Sequence, residues 1–157
     1  MELKNKIKKL LIIGVLLLVT TYVKAQIENP VRWSYAAKKI SKTEAVLFLK
    51  ATIDEGWHIY SQKKVDNGGP VRTSFVFTPS ASYAIVGTTI EPEPTTRFEE
   101  SFSMNVSFFE HSVIFQQKIK LKPIASSTTV KGTLNFMVCN DEKCLPPDNL
   151  NFSIQVK

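Results

Sequence analysis

Three observations predict an all-β chain: apolar and polar residues alternate with period two in successive short segments, helical periodicity is almost absent, and glycine, proline and asparagine punctuate the intervals. Residues 31–35 (Val-Arg-Trp-Ser-Tyr) alternate, and residues 44–53 place Ala45, Leu47, Leu49, Ala51 and Ile53 in step. Successive side chains of a strand point to opposite sides, so each such set forms one apolar face. Residues 71–77 are rich in aromatic and β-branched types, and residues 83–86 make a shorter segment of the same kind. Residues 112–121 keep Val113, Phe115, Ile119 and Leu121 in step, residues 129–139 keep Val130, Leu134, Phe136 and Val138 in step, and Phe152, Ile154 and Val156 close the series.

Seven or eight short strands result, separated by turns such as Asp66-Asn67-Gly68-Gly69-Pro70 and Glu91-Pro92-Glu93-Pro94. That spacing points to an immunoglobulin-like antiparallel β-sandwich. The Glu/Pro run reads as a stiff loop and not as a domain boundary, and no internal repeat is present.

Residues 1–25 read as an export signal. Lys4, Lys6, Lys8 and Lys9 form a basic start, residues 10–19 an apolar run, and Val23-Lys24-Ala25 a small-residue cleavage pattern ending before Gln26. The apolar run is shorter than the roughly 20 residues that span a bilayer, which argues against an uncleaved anchor. No cysteine follows the cut, so a lipidated terminus by the usual thioether route is not expected. The expected product is a soluble exported domain of residues 26–157, a length suited to one sandwich core. Removing residues 1–25 takes five of the 20 Lys and Arg and one of the 14 Asp and Glu, so the net charge falls from +6 to +2. The basic balance is thus mostly a targeting feature, and a nucleic-acid surface has little support.

Within the strand-like series, residues 54–61 set His58 and Tyr60 on one face and Trp57 and Ile59 on the other. Trp57 and Ile59 read as core, whereas His58 and Tyr60 fit either an ordinary solvated face or a pocket. Residues 97–106 mix acids and aromatics without clean alternation and read as a loop. Its Phe102 has two readings: it tucks into the end of the core, or it covers another loop.

Both cysteines lie in Val138-Cys139-Asn140-Asp141-Glu142-Lys143-Cys144-Leu145-Pro146-Pro147. An apolar run delivers Cys139, four polar residues reverse the chain, Cys144 returns, and two prolines stop regular structure. Such a loop can bring its ends within the roughly 4.4–6.8 Å between Cα atoms that a disulfide needs. By the chain-entropy model a loop this small contributes roughly 2 kcal/mol, against almost 5 for a loop of about 100 residues. A poor staple in a charged loop suggests a bond kept for reactivity, although local disulfides that pin a hairpin are common in exported proteins.

The Asn-Pro-Val start, the Gly-Trp-His-Ile-Tyr segment, the Phe-Glu-Glu-Ser-Phe loop and the Cys-x4-Cys-Leu-Pro-Pro segment together resemble the amino-terminal periplasmic domain of DsbD-type thiol:disulfide interchange proteins. The resemblance covers nearly the whole of residues 26–157. It implies a periplasmic immunoglobulin-like domain with a redox-active pair at Cys139 and Cys144. The pair would take reducing equivalents from a thioredoxin-like donor domain or a membrane electron-transfer protein, and hand them to exported disulfide isomerases or other oxidoreductases. It further implies that Phe102 caps the pair, with Glu100 and Ser101 just before it and the rings of His58 and Tyr60 beside it. Members of the family continue into a transmembrane domain whereas this sequence ends at Lys157, so a stand-alone carrier is expected. By the family's pattern Cys144 forms the mixed disulfide and Cys139 resolves it.

Thiol–disulfide exchange proceeds through a thiolate, which Asp141 and Glu142 should disfavour and Lys143 should favour. No Cys-x-x-Cys is present, so the pair is expected to be sluggish until a partner supplies an activated thiol. No cofactor and no metal are expected; a zinc site built from Cys139, Cys144, His58 and His111 is disfavoured because neither histidine sits in a ligand-like pair. A hydrolase lacks its motif. The main rival is an immunoglobulin-like binding module whose disulfide is purely structural.

Overall fold

The computed structural model describes residues 2–6, 8, 28–65, 68–122 and 127–157. The apolar run at 10–19, the cleavage pattern before Gln26, and Asp66 and Asn67 of the first punctuating turn lie outside the described residues. Among the described residues no helix is long and apolar enough to cross a membrane.

Eleven strands form among the described residues: β1 (Val31–Lys39), β2 (Glu44–Ile53), β3 (His58–Tyr60), β4 (Ser74–Phe77), β5 (Tyr83–Ile90), β6 (Thr95–Glu99), β7 (Met104–Glu110), β8 (Ser112–Leu121), β9 (Thr128–Phe136), β10 (Val138–Cys139) and β11 (Asp148–Val156). They pair antiparallel in three sheets of order β1-β2-β8-β5, β10-β3-β7-β6 and β11-β9-β4. This is the expected immunoglobulin-like antiparallel β-sandwich.

The alternating sets meet one another through register. Opposite Leu49 on β2 stands Phe115 on β8, opposite Ala51 stands Val113, and opposite Ala45 stands Ile119. All are buried in one core with Val130, Leu134 and Phe136 of β9 and Phe152, Ile154 and Val156 of β11. Each such side chain contributes about 1.5–3 kcal/mol on burial, so this core carries the stability. Gln117 is the polar interruption in β8. It is buried because β5 is irregular between Val86 and Ile90, and its amide satisfies what the bulge opens: Nε2 donates to the Val86 carbonyl at 3.0 Å, and Oε1 accepts from Thr89 Oγ1 at 2.8 Å.

The structure corrects the sequence reading in two places. Residues 97–106 are not an irregular loop: β6 and β7 run through them, joined by a short tip. The segment 129–139 is not one strand either, because the chain leaves β9 at Phe136 and enters β10 at Val138, changing sheets across Met137. The Glu/Pro run is anchored as well as stiff. Glu91 accepts hydrogen bonds from the Ser61 hydroxyl and, at 2.8 Å, from the Gln62 amide.

The sheet β10-β3-β7-β6 positions the cysteines. One of its faces supplies Ile59, Phe109 and Val138 to the main core. The other carries Tyr60, Val106, Phe108 and Cys139, a second and smaller buried cluster.

Candidate functional site

The cysteine loop is built as a tight hairpin. Leu145 N donates to Val138 O and Asn140 N donates to Lys143 O, both at 2.9 Å, so Cys139 and Cys144 face each other without hydrogen bonds of their own. Antiparallel ladders bring their Cα atoms closest at such positions. The Cα atoms are 4.0 Å apart and the sulfurs are joined at 2.03 Å. Asn140 closes the turn: its Oδ1 accepts from the amides of Glu142 at 2.9 Å and Lys143 at 2.8 Å. The sequence reading saw a polar reversal there but not which residue shapes it.

The two cysteines differ in burial. Cys139 is 0 % exposed, whereas Cys144 is half-buried. Cys139 pairs with His58 across β10 and β3, and Val138 pairs with Ile59. Period two therefore sends Val138 and Ile59 to the main core and leaves Cys139 and His58 on the opposite side. The turn that feeds β3 depends on Gly56. Trp57 N donates to Asp54 O at 3.1 Å, and Gly56 holds φ at 78°, a conformation that a side chain disfavours.

His58 and Tyr60 are buried, so the solvated-face reading of that strand does not hold. The His58 ring stands edge-on to Tyr60 at 5.2 Å between centroids, and 5.0 Å from that of Phe108. Burial, aided by the positive charge of Arg97, pushes the His58 imidazole down to about 4, with Asp141 opposing the shift, so it is neutral near pH 7. Burial and the bond to Glu99 raise the Tyr60 phenol far above its ordinary value. Tyr60 Oη donates to Glu99 Oε1 at 2.9 Å and lies 3.3 Å from His58 Nε2. Because the one hydroxyl proton goes to Glu99, Nε2 carries the proton in the His58–Tyr60 bond. The 3.9 Å between His58 Nε2 and Glu99 Oε2 is then no ion pair at neutral pH.

Glu99 is the residue that sequence reasoning missed. It looks like Glu100 and Ser101 in the sequence, yet both of those are exposed while Glu99 turns inward. Its Oε2 is buried and finds no hydrogen-bond partner among the described residues. Strand register makes the distinction, since β6 pairs Arg97 with Val106 and Glu99 with Met104, on the face that holds the second cluster.

Phe102 sits at the tip between β6 and β7. Phe102 N donates to Glu99 O at 3.3 Å and Ser103 N to Glu100 O at 3.1 Å, and Ser103 takes φ 53° before β7 begins. This pair of turns directs the Phe102 ring onto the small cluster, edge-on to Tyr60 at 6.0 Å, beside Met104, Met137 and Cys144. Of the residues singled out from the sequence, Cys139, Cys144, His58, Tyr60 and Phe102 thus come together, and Glu100 and Ser101 flank them from the solvent side.

The charges around the loop are mostly spoken for. Arg97 stacks its guanidinium 4.4 Å over the Phe108 ring and lies 3.7 Å from Asp141 and 3.8 Å from Glu110. Lys143, adjacent to Cys144, pairs with Glu28 at 2.7 Å, which moderates its pull toward a thiolate. His111, at the turn between β7 and β8, is exposed and does not join the cluster.

The family model described as "Thiol:disulfide interchange protein DsbD, N-terminal" matches residues 28–155. The fold is similar to the N-terminal domain of DsbD from Neisseria meningitidis in its reduced form, at 15% identity and TM-score 0.52, covering 78% of this chain and 84% of that one. It is also similar to the N-terminal periplasmic domain of ScsB from Proteus mirabilis, at 20% identity and TM-score 0.56, covering 87% of this chain and 50% of that one. A third similar structure is the complex between the DsbD N-terminal and PilB N-terminal domains from Neisseria meningitidis, at 14% identity and TM-score 0.52, covering 82% of this chain and 87% of that one. Comparison with curated proteins finds no match.

Proposed function

The chain belongs to the family of DsbD amino-terminal domains, which take part in thiol:disulfide exchange, and we propose that Cys139 and Cys144 are its redox-active pair, relaying reducing equivalents in the periplasm. The observation that carries this reading is the unequal burial of the two cysteines in the cluster that Phe102 packs on. Cys144 is partly exposed, on the side a partner's thiolate would approach, and Cys139 is fully buried in the cluster.

A thiolate of a thioredoxin-like donor attacks Cys144 Sγ, the sulfur–sulfur bond breaks, and Cys139 leaves as a thiolate that takes up a proton. The donor's second thiol then attacks its own sulfur in the mixed disulfide and frees Cys144. The donor is oxidised by two electrons and the pair is reduced to two thiols. In the onward step the Cys144 thiolate attacks the disulfide of an exported oxidoreductase. Cys139 resolves that mixed disulfide, which restores the Cys139–Cys144 bond and releases the acceptor as a dithiol. Phe102 is the cap over the pair, with Glu100 and Ser101 at its outer edge and His58 and Tyr60 as its floor. The leader at 1–25, cut before Gln26, would deliver residues 26–157 to that compartment.

Redox titration of the pair tests this reading. A carrier is expected to have a midpoint between those of cytosol-facing reductants and strong exported oxidants. A midpoint well below about −300 mV would mark a purely structural bond and favour the binding-module reading.

A further inference from the structure

The second cluster contains more ligand chemistry than disulfide exchange uses. A ring nitrogen of His58, a Glu99 carboxylate oxygen and Cys139 Sγ all lie within 4.8 Å of one another. We propose that, once the disulfide is reduced, His58, Glu99, Cys139 and Cys144 bind a borderline-soft divalent cation of the zinc(II) class, making the domain a redox-gated metal site. This rests on the reading above that the pair is reducible.

The donor set fits that class. A tetrahedral zinc site holds nitrogen, oxygen and thiolate ligands at roughly 2.0–2.3 Å, so its ligand atoms stand about 3.3–3.8 Å apart. The three grouped atoms must close by up to about 1 Å to reach that spacing, and reduction frees Cys144 to supply the fourth ligand. In the disulfide the two sulfurs are joined at 2.03 Å and neither is a thiolate, so the oxidised site lacks half of its ligands. Reduction by a dithiol or a phosphine adds two electrons and two protons and gives two thiols. Coordination as thiolates then releases two protons to solvent.

Two features of Glu99 point to a ligand. The Glu99 carboxylate is already oriented, with Oε1 held by Tyr60 Oη at 2.9 Å, while Oε2 is buried and has no hydrogen-bond partner among the described residues. A buried carboxylate oxygen left unpaired is costly, and a cation would offset that cost. The tyrosine also plays the part that outer hydrogen-bonding groups play at metal sites, fixing a ligand's orientation. The walls are Val106, Phe108, Phe102 and Met104, which keep competing water away. Two thiolates, a carboxylate and a dication leave one net negative charge, and Arg97, stacked on Phe108, stands close enough to offset it. The set differs from the one weighed in the sequence: His111 is exposed and outside the cluster, and Glu99 takes its place.

The experiment titrates zinc(II) into the whole domain, anaerobically reduced with a phosphine, against a chromophoric chelator, with cobalt(II) as a spectroscopic probe. One zinc per chain is expected for the reduced protein, about 100-fold or more tighter than for the oxidised protein, because only reduction frees the thiolates. Cobalt should show intense tetrahedral d–d bands with thiolate charge transfer. Glu99→Gln and His58→Gln should each weaken zinc about tenfold or more. Should His58→Gln fail to fold, Glu99→Gln decides by itself. No zinc uptake by the reduced protein, equal uptake in both redox states, or wild-type affinity in a folded Glu99→Gln variant would each overturn the site, the last by showing a bare dithiol. Disulfide exchange measured with excess chelator tests the redox reading separately, so either reading can fail without the other.

Discussion

On one face of β3, Ile59 is enclosed by Phe109 and Val138 in the main core, whereas one residue to either side His58 and Tyr60 meet Glu99, Phe108 and Cys139. The same three-residue strand thus serves two interiors. The main core is built from apolar and aromatic side chains, its Gln117 amide and Tyr83 hydroxyl are hydrogen-bonded, and it holds no cysteine, imidazole or carboxylate among the described residues. The second cluster is smaller and combines a disulfide, a neutral imidazole, a phenol and a carboxylate behind a few rings. Low polarity keeps those groups poised, because buried polar groups interact strongly and are costly when unpaired. The difference separates stability from reactivity within one sheet and predicts different responses to substitution.

The largest expected contrast comes from emptying each interior in turn. Phe115→Ala removes a wholly buried ring that contacts Trp33, Phe75 and Phe109 and should cost about 3–5 kcal/mol. Removing the disulfide by Cys139→Ser with Cys144→Ser closes no long loop and should cost about 2 kcal/mol or less, while abolishing disulfide exchange. Denaturant titration of both variants with an exchange assay makes the comparison. A double serine variant that unfolds as readily as Phe115→Ala would show that the fold depends on the bond, and the separation would be lost.

Legibility in the sequence follows the same division. The main core could be read because its strands bury one face only: the in-step residues of β2, β8, β9 and β11 are all buried. The second cluster resisted because its strands break that rule. β6 is exposed along its length except at Glu99, and β7 sends Val106 and Phe108 to one interior and Phe109 to the other, so no single alternation survives. Hence the two strands read as an irregular loop. The cysteines, the aromatic pair and Phe102 were recognisable by residue type. Glu99 and Arg97 were not, since only the β6–β7 register separates them from equally polar neighbours.

An intermediate effect should appear as pH dependence. The folded His58 titrates at about 4, below the unfolded value near 6.5, so between those values the unfolded chain binds more protons. The stability held by neutral His58 is complete above about pH 6.5 and is lost as pH falls toward 4, by about 3 kcal/mol. Arg97, Asp141, Glu99 and Tyr60 face the ring, and of these Arg97 deepens the depression while Asp141 opposes it. Chemical denaturation of the oxidised protein at stepped pH should show that slope, and His58→Gln should flatten it relative to wild type. Parallel slopes would mean that the imidazole charges without cost, and the cluster would be wetter than its burial indicates.

The smallest effect concerns access alone and bears most directly on the proposed cap. Phe102 packs on the cluster that holds both sulfurs, and its loop is secured by two turn hydrogen bonds and a left-handed Ser103. A ring held this way can hinder approach to Cys144 without changing the relative stability of dithiol and disulfide. Phe102→Ala should therefore speed alkylation of the reduced pair by a small reagent several-fold and leave the midpoint potential unchanged. Phe98→Ala is the matched control: it removes the same ring from the same hairpin, but Phe98 is 61 % exposed and does not belong to the cluster. Its alkylation rate should stay near wild type. The wild-type reaction should be slow but measurable, because loops open on microsecond or longer timescales and the reagent reacts during those openings. Equal rates for wild type and Phe102→Ala would return that ring to ordinary packing. A shifted midpoint would instead show that Phe102 stabilises one redox state and is part of the chemistry as well as its cover.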